Sequence, residues 1–144
     1  MADHASASIV INAKPATVMA TIADIASYPT WVGQIEQCEI LDVGPDGRPR
    51  RARFRINAGI AKDEFVNDYT WHGDEQVTWT LVEGQAMSAQ DGSYTLREVE
   101  GGQTEVTYDL TVELRIKIPG LLRRKVQSGI VDAALKDLKK HVES

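Results

Sequence analysis

Residues 119–144 read PGLLRRKVQSGIVDAALKDLKKHVES. Leu122, Val126, Ile130, Ala133, Ala134, Leu138 and Val142 recur at helical spacing and mark one broad apolar stripe. Lys125, Asp132, Lys136, Lys139 and Lys140 gather on the opposite side. Pro119 and Gly120 break the preceding segment and suit a helix start. Lys139, Lys140 and His141 suit its end, where cations meet the negative pole of the helix dipole. At about 1.5 Å per residue, a helix over 120–141 spans roughly 30 Å, enough to cross a small domain. A stripe of that length must be covered, and the preceding chain supplies a sheet to cover it.

The cleanest strand lies just upstream, over 104–118. Val106, Tyr108, Leu110, Val112, Leu114 and Ile116 alternate there with Glu105, Thr107, Asp109, Thr111, Glu113, Arg115 and Lys117. One face is dry and one wet, as in an antiparallel sheet. Earlier strands are expected over 35–43, 51–57, 62–71, 76–82 and 87–99. Turn signals separate them at Gly44-Pro45-Asp46-Gly47, Gly59, Gly73-Asp74-Glu75, Gly84 and Gly101-Gly102. Such short connections make a meander, because parallel strands need long crossovers. Gly92 inside the last of these strands predicts a bulge or bend. At the front, 1–4 read as a frayed end and 5–11 as a first strand. A helix then opens at Pro15, with Val18, Met19, Ile22 and Ile25 on one face. Tyr28-Pro29 is expected to stop it, since a residue before proline avoids helical geometry. A short second helix or turn is expected over 30–33.

The bulk numbers fit a single domain over 1–144. The 144 residues are 42% apolar and 26% charged, ordinary for a globular chain that buries a core. A net charge of −5 gives no electrostatic footprint for nucleic acid. Cys38 is the only cysteine, so no internal disulfide is expected. The first ten residues lack the basic start and apolar run of a signal peptide. A soluble, cytoplasmic location is the resulting expectation.

The order is therefore strand, two short helices, about six strands, long helix. It resembles the START-like superfamily of polyketide cyclases, dehydrases and lipid-transport proteins, across essentially the whole chain. Asp24, Tyr28, Pro29 and Trp31 are similar to that family's segment after the first helix. Gly92-Ser93-Tyr94-Thr95-Leu96 and Gly101-Gly102-Gln103-Thr104-Glu105-Val106-Thr107 are similar to its last hairpin. The glycine-rich loop of the plant pollen-allergen branch is absent. The resemblance implies an α+β helix-grip fold, with an antiparallel sheet of six or seven strands curled around the C-terminal helix. It also implies a small hydrophobic molecule or lipid bound between the two.

No catalytic motif stands out. His4, His72 and His141 are scattered, so no metal site is expected, nor any cofactor. Cys38 reads as a small buried hydrophobe. What remains is the chemistry of an interior surface. Alternation and helical spacing nominate Phe54, Phe65, Asn67, Tyr69, Trp79, Tyr94, Tyr108, Gln127, Ile130 and Val131 as its lining. Ser88 and Gln90 share a face with Tyr94 on strict alternation. Arg123, Gln127 and Asp137 interrupt the apolar arc of the last helix. An inward Gln127 needs a partner for its amide: a tyrosine, a water or the polar end of a ligand. Arg115, Lys117, Arg123, Arg124 and Lys125 form a basic cluster suited to transient contact with an anionic membrane surface. The alternatives are a cyclase or dehydrase-type enzyme using the same space, and a protein-interaction module with a filled core.

Overall fold

A computed structural model describes residues 3–58 and 61–144. Strand β1 (Asp3–Ile11) leads into helix α1 (Pro15–Ala23), a 3-10 turn (Ile25–Ser27) and the single-turn helix α2 (Tyr28–Trp31). Six strands follow: β2 (Ile35–Val43), β3 (Pro49–Ala58), β4 (Ala61–His72), β5 (Gln76–Gly84), β6 (Met87–Val99) and β7 (Gln103–Leu114). Helix α3 (Gly120–Glu143) closes the chain. The strands form one antiparallel sheet in the order β1-β7-β6-β5-β4-β3-β2. The chain thus has the expected α+β architecture: an open sheet of seven strands, short helices after the first strand, and one long C-terminal helix.

Local chemistry accounts for the boundaries. Pro15 sits in the first turn of α1, where its missing N–H leaves nothing unpaired. The turn before β3 ends on Gly47, whose φ of +81° few other residues adopt readily. On the outer face of β3, Arg51, Arg53 and Arg55 pair across to Asp68, Glu39 and Glu64 at 2.6, 3.0 and 3.5 Å. The inner faces of β3 and β4 meanwhile bury Ala52, Phe54 and Phe65.

Several expectations are corrected. Residues 3 and 4 are not frayed: Asp3 and His4 pair with Val112 and Thr111 of β7. Tyr28-Pro29 starts a helix rather than stopping one. The backbone leaves α1 at Asp24 (φ −81°, ψ 63°), and Tyr28 takes helical angles at the head of α2, where Pro29 occupies the first turn. Strand β7 ends at Leu114, not at 118, because its pairing with β6 runs out at Met87–Leu114. Gly92 makes no bulge; it pairs in register with Trp79 and Leu110. A Cβ there would lie 2.2 Å from the Trp79 ring, so the glycine is room for an indole. The bulge on β6 falls instead between Met87 and Ala89, and it turns Ser88 out to solvent. The turn expected at Gly59 lies outside the described residues.

The phase of α3 also differs. Its buried residues are Gln127, Val131, Leu135 and Leu138, while Leu122 is exposed. The helix packs chiefly on β1, with lesser contacts to α1, β7 and α2. Its polar side chains hold that seating. Lys139 Nζ donates to the Val10 carbonyl at 2.7 Å, and Glu143 Oε2 accepts the Asn12 N–H at 2.8 Å. Asp137 accepts the Gly33 N–H at 3.2 Å.

Buried side chains fall into two clusters. One joins Ile11, Val18, Met19, Ile22, Val106, Leu135 and Leu138 with Trp79 and Tyr108. The other joins Ile25, Tyr28, Val32, Phe54, Phe65 and Met87. Trp31, Tyr69, Trp71 and Val112, partly buried, pack against both clusters and bridge them. Beside these bridges, residues of both clusters border open space.

Candidate functional site

That space is a pocket of about 200 Å³ bounded by residues from both clusters. β4 points Asp63, Phe65, Asn67 and Tyr69 into it, every second residue. β7 contributes Tyr108, Leu110, Val112 and Leu114, again in alternation. Across the gap stand Val126, Gln127, Ile130 and Ala134 of α3, one helical face. Ile22, Tyr28, Trp31 and Val32 close one side.

Nine of the ten residues nominated from the sequence border the pocket: Phe54, Phe65, Asn67, Tyr69, Trp79, Tyr94, Tyr108, Gln127 and Ile130. Val131 does not; it is fully buried in the first cluster, one residue round the helix from Ile130. Gln90 borders the pocket, whereas Ser88 lies on the outside. The extra residue in β6 reverses the alternation there, so Met87 and Gln90 both point inward although three apart.

The walls are aromatic. Trp79 lies 5.7 Å from Tyr69, 5.4 Å from Tyr94 and 5.7 Å from Tyr108 between ring centroids, and Tyr94 meets Tyr108 at 4.7 Å. Phe54 contacts Phe65 at 5.4 Å and Tyr69 at 6.3 Å. Burial pushes the hydroxyl pKa of Tyr28, Tyr69, Tyr94 and Tyr108 upward, so all four stay neutral at physiological pH. Tyr28 Oη is occupied, donating to the Ile22 carbonyl.

The ionisable groups at the pocket are largely engaged with the fold. Arg123 Nε and Nη2 donate to the Asp3 carboxylate and Nη1 to the Ile118 carbonyl at 3.0 Å. Its hydrogen bond holds the Asp3 carboxyl below the usual aspartate range. Gln127 Nε2 donates to the backbone carbonyls of Asp3 and Leu110, both at 2.9 Å. The amide thus finds its partners in strands β1 and β7, not in a tyrosine, water or ligand. Asp63 Oδ1 accepts three backbone N–H groups, from Glu64, Gln85 and Ala86, at 2.8, 3.1 and 2.9 Å, while its buried Oδ2 has no partner among the described residues. Asp63 was legible in principle, since it shares the parity of Phe65, Asn67 and Tyr69. Ile22, Tyr28, Trp31 and Val32 carried no such signal, because their placement depends on how α1 and α2 fold back on the sheet.

Outside the pocket, Cys38 Sγ donates to the Ile25 carbonyl at 2.8 Å, and burial raises its thiol pKa. His141 stacks on Trp31 at 4.9 Å, and His4 lies 3.1 Å from Asp109. The basic cluster divides: Arg115, Lys117, Arg124 and Lys125 are exposed, whereas Arg123 is turned inward on Asp3. Among the described residues no helix is long and apolar enough to cross a membrane.

A family model described as polyketide cyclase / dehydrase and lipid transport matches residues 2–143. No curated protein is significantly similar in sequence. Among solved structures, a START superfamily protein from Mycobacterium smegmatis superposes with a TM-score of 0.89 at 23% identity, covering 97% of each chain. A protein from Thermus thermophilus superposes with a TM-score of 0.84 at 26% identity, covering 97% of each chain. The Zhui aromatase/cyclase from a Streptomyces species superposes with a TM-score of 0.82 at 14% identity, covering 99% of this chain and 94% of that one.

Proposed function

We propose, for a chain that belongs to the polyketide cyclase/dehydrase and lipid transport family, that it binds a small hydrophobic molecule in the pocket between sheet and α3. The observation that carries this reading is the pocket itself: aromatic and aliphatic side chains of both clusters border open space between the sheet and α3. A filled interaction module would have closed that space. Ligand pockets run from roughly 300 to 1,000 Å³, so about 200 Å³ is small. It suits a compact ring system or a single-chain lipid, not a two-chain phospholipid. The enzyme reading has one candidate group. Catalysis needs an acid or base free to meet a substrate; Arg123 is bound to Asp3, and Asp63 Oδ1 is bound to backbone, which leaves the buried Asp63 Oδ2 without a partner among the described residues.

An apolar fluorescent probe tests the reading. It is expected to bind the folded protein with a micromolar dissociation constant, as modest ligand sites do. Ile130→Trp fills the pocket from the helix side and should abolish binding with the fold intact. Equal binding by wild type and folded variant would place the ligand elsewhere.

We also infer that the pocket rim meets an anionic lipid surface. Ile116, Leu121 and Leu122 are 56%, 78% and 43% exposed, beside the exposed cations Arg115, Lys117, Arg124 and Lys125. Ile116 and Ile118 also border the pocket. Each cation near an anionic leaflet contributes about 1 kcal/mol, offsetting the chain's net negative charge locally. Co-sedimentation with phosphatidylserine-containing vesicles should exceed that with pure phosphatidylcholine, and Leu121→Ser with Leu122→Ser should reduce it. Equal sedimentation with both vesicle types, or a dimer in solution that these substitutions dissolve, would overturn the inference.

A further inference from the structure

The pocket wall carries a polar group whose orientation can be deduced from chemistry. An indole N–H only donates. Trp79 Nε1 lies 3.1 Å from one atom of the Gln90 amide, so that atom is the acceptor Oε1. The same Oε1 lies 2.9 Å from one atom of the Asn67 amide, which must therefore be the donor Nδ2. A donor-only tryptophan thus fixes both amides in turn. The remaining atom of Asn67 is Oδ1, an acceptor. Among the described residues it has no hydrogen-bond partner, on a side chain only 2% exposed that borders the pocket. Gln90 Nε2, the other free end of the chain of amides, has only the weak acceptor Met87 Sδ at 3.2 Å.

A buried acceptor with no partner is unfavourable, and an apolar ligand would leave it so. We propose that the ligand is hydroxylated, its O–H donating to Asn67 Oδ1 and its oxygen accepting from Gln90 Nε2 in place of the Met87 sulfur. The proposal rests on the reading of this pocket as a binding site and names the polar end of its ligand. A phenol, enol or alcohol supplies both halves of the exchange. A carboxylate supplies only acceptors and would face Oδ1 with like charge, and the nearby Arg123 is already paired with Asp3. An ether lacks the donor. Tyr69 is the competing donor within the protein. It stands two residues along the same face of β4 and its hydroxyl interacts with Asn67, yet makes no hydrogen bond to Oδ1.

Three ring-matched probes test the proposal at neutral pH: naphthol, its methyl ether and naphthalene. Tryptophan fluorescence reads binding, with Trp79 in the wall. Wild type should bind naphthol about tenfold tighter than the ether, the worth of one good hydrogen bond to an otherwise empty acceptor. Asn67→Leu keeps the volume and should erase the preference while still binding naphthalene. If all three probes bind wild type alike, and Ile130→Trp blocks all three, the pocket binds apolar guests and the hydroxyl proposal is wrong. If none binds, the binding reading itself falls, and this proposal with it. A preference absent in wild type but gained in Tyr69→Phe would mean that Tyr69 satisfies Asn67, and would also overturn it. The wild-type comparison needs no variant, so a failure of Asn67→Leu to fold does not remove the test.

Discussion

All four tyrosines of the chain, Tyr28, Tyr69, Tyr94 and Tyr108, border the pocket, and burial raises the pKa of each above the ordinary value of 10.0. Alkaline pH therefore loads this region, alongside the lysines that titrate in the same range. The unfolded chain releases tyrosine protons above pH 10 while the folded chain retains them. Stability is thus fully present below that pH and lost as pH rises toward the higher folded values. One fully suppressed tyrosine costs about 1.4 kcal/mol per pH unit beyond its unfolded pKa. Tyr28 and Tyr108 are buried, whereas Tyr69 and Tyr94 are half-buried against the pocket. One unit above the ordinary value, the loss is then about 3 kcal/mol from the first pair alone and about 5.5 kcal/mol if all four count fully. Total stability of such a domain is about 5–15 kcal/mol. The chain should therefore unfold cooperatively within roughly two units above the tyrosine range. Phenolate absorbance and far-ultraviolet circular dichroism, followed in one titration, should change together. Phenolate signal appearing near pH 10 with secondary structure intact would show a tyrosine in contact with bulk water, and would refute the picture of a sheltered aromatic wall.

Gly92→Ala should cost about 1–3 kcal/mol, as overpacking does, because the new methyl meets the Trp79 ring; urea midpoints measure it, and Trp79 fluorescence should shift as the indole is displaced. Leu138→Ala removes a side chain 1% exposed and should cost about 2–5 kcal/mol. Ile130→Ala should cost less than Leu138→Ala, since Ile130 borders open space, and Lys136→Ala less than about 0.5 kcal/mol. Equal losses in the three variants would mean that the helix face is misassigned. The Asp3 carboxyl, lowered by Arg123, contributes stability above the ordinary aspartate value that is lost as pH falls through its lower folded value. Asp3→Asn should lower stability at neutral pH and flatten its acid slope; a slope unchanged from wild type in acid denaturation would show that the pair contributes nothing.

Alternation in β3, β4, β5 and β7 was enough to place the strands and most of the pocket wall. Parity tells which side chains share a face even when the fold is not yet known. The failures have a common origin in partners supplied from far away in sequence. Leu122, Val126 and Ile130 looked like the buried stripe of α3 because apolar residues are expected inward. The sheet instead offers Arg123 the Asp3 carboxylate and Gln127 two carbonyls, so polar residues turn in and Leu121 and Leu122 turn out. Periodicity in 104–118 overran the strand because it continues after the pairing partner has ended. Parity across β6 failed at Ser88, where one extra residue reverses it without any sequence mark. Asp3 looked frayed because nothing local shows that a residue 120 positions away will pair with it.

An open sheet has two rims to which a foreign strand can add, and the polar side of α3 bears on one of them. β1 is an outermost strand, and α3 reaches its backbone at three points: Gln127 at the Asp3 carbonyl, Lys139 at the Val10 carbonyl and Glu143 at the Asn12 N–H just beyond its end. Those groups are no longer offered to another chain. The other rim, β2, is guarded differently, by three interruptions in its pairing with β3 that spoil a flat template. Loss of the last turn of α3 would therefore reach beyond the helix itself: with Lys139 and Glu143 gone, the uncovered end of β1 becomes the place where self-association through strand addition begins.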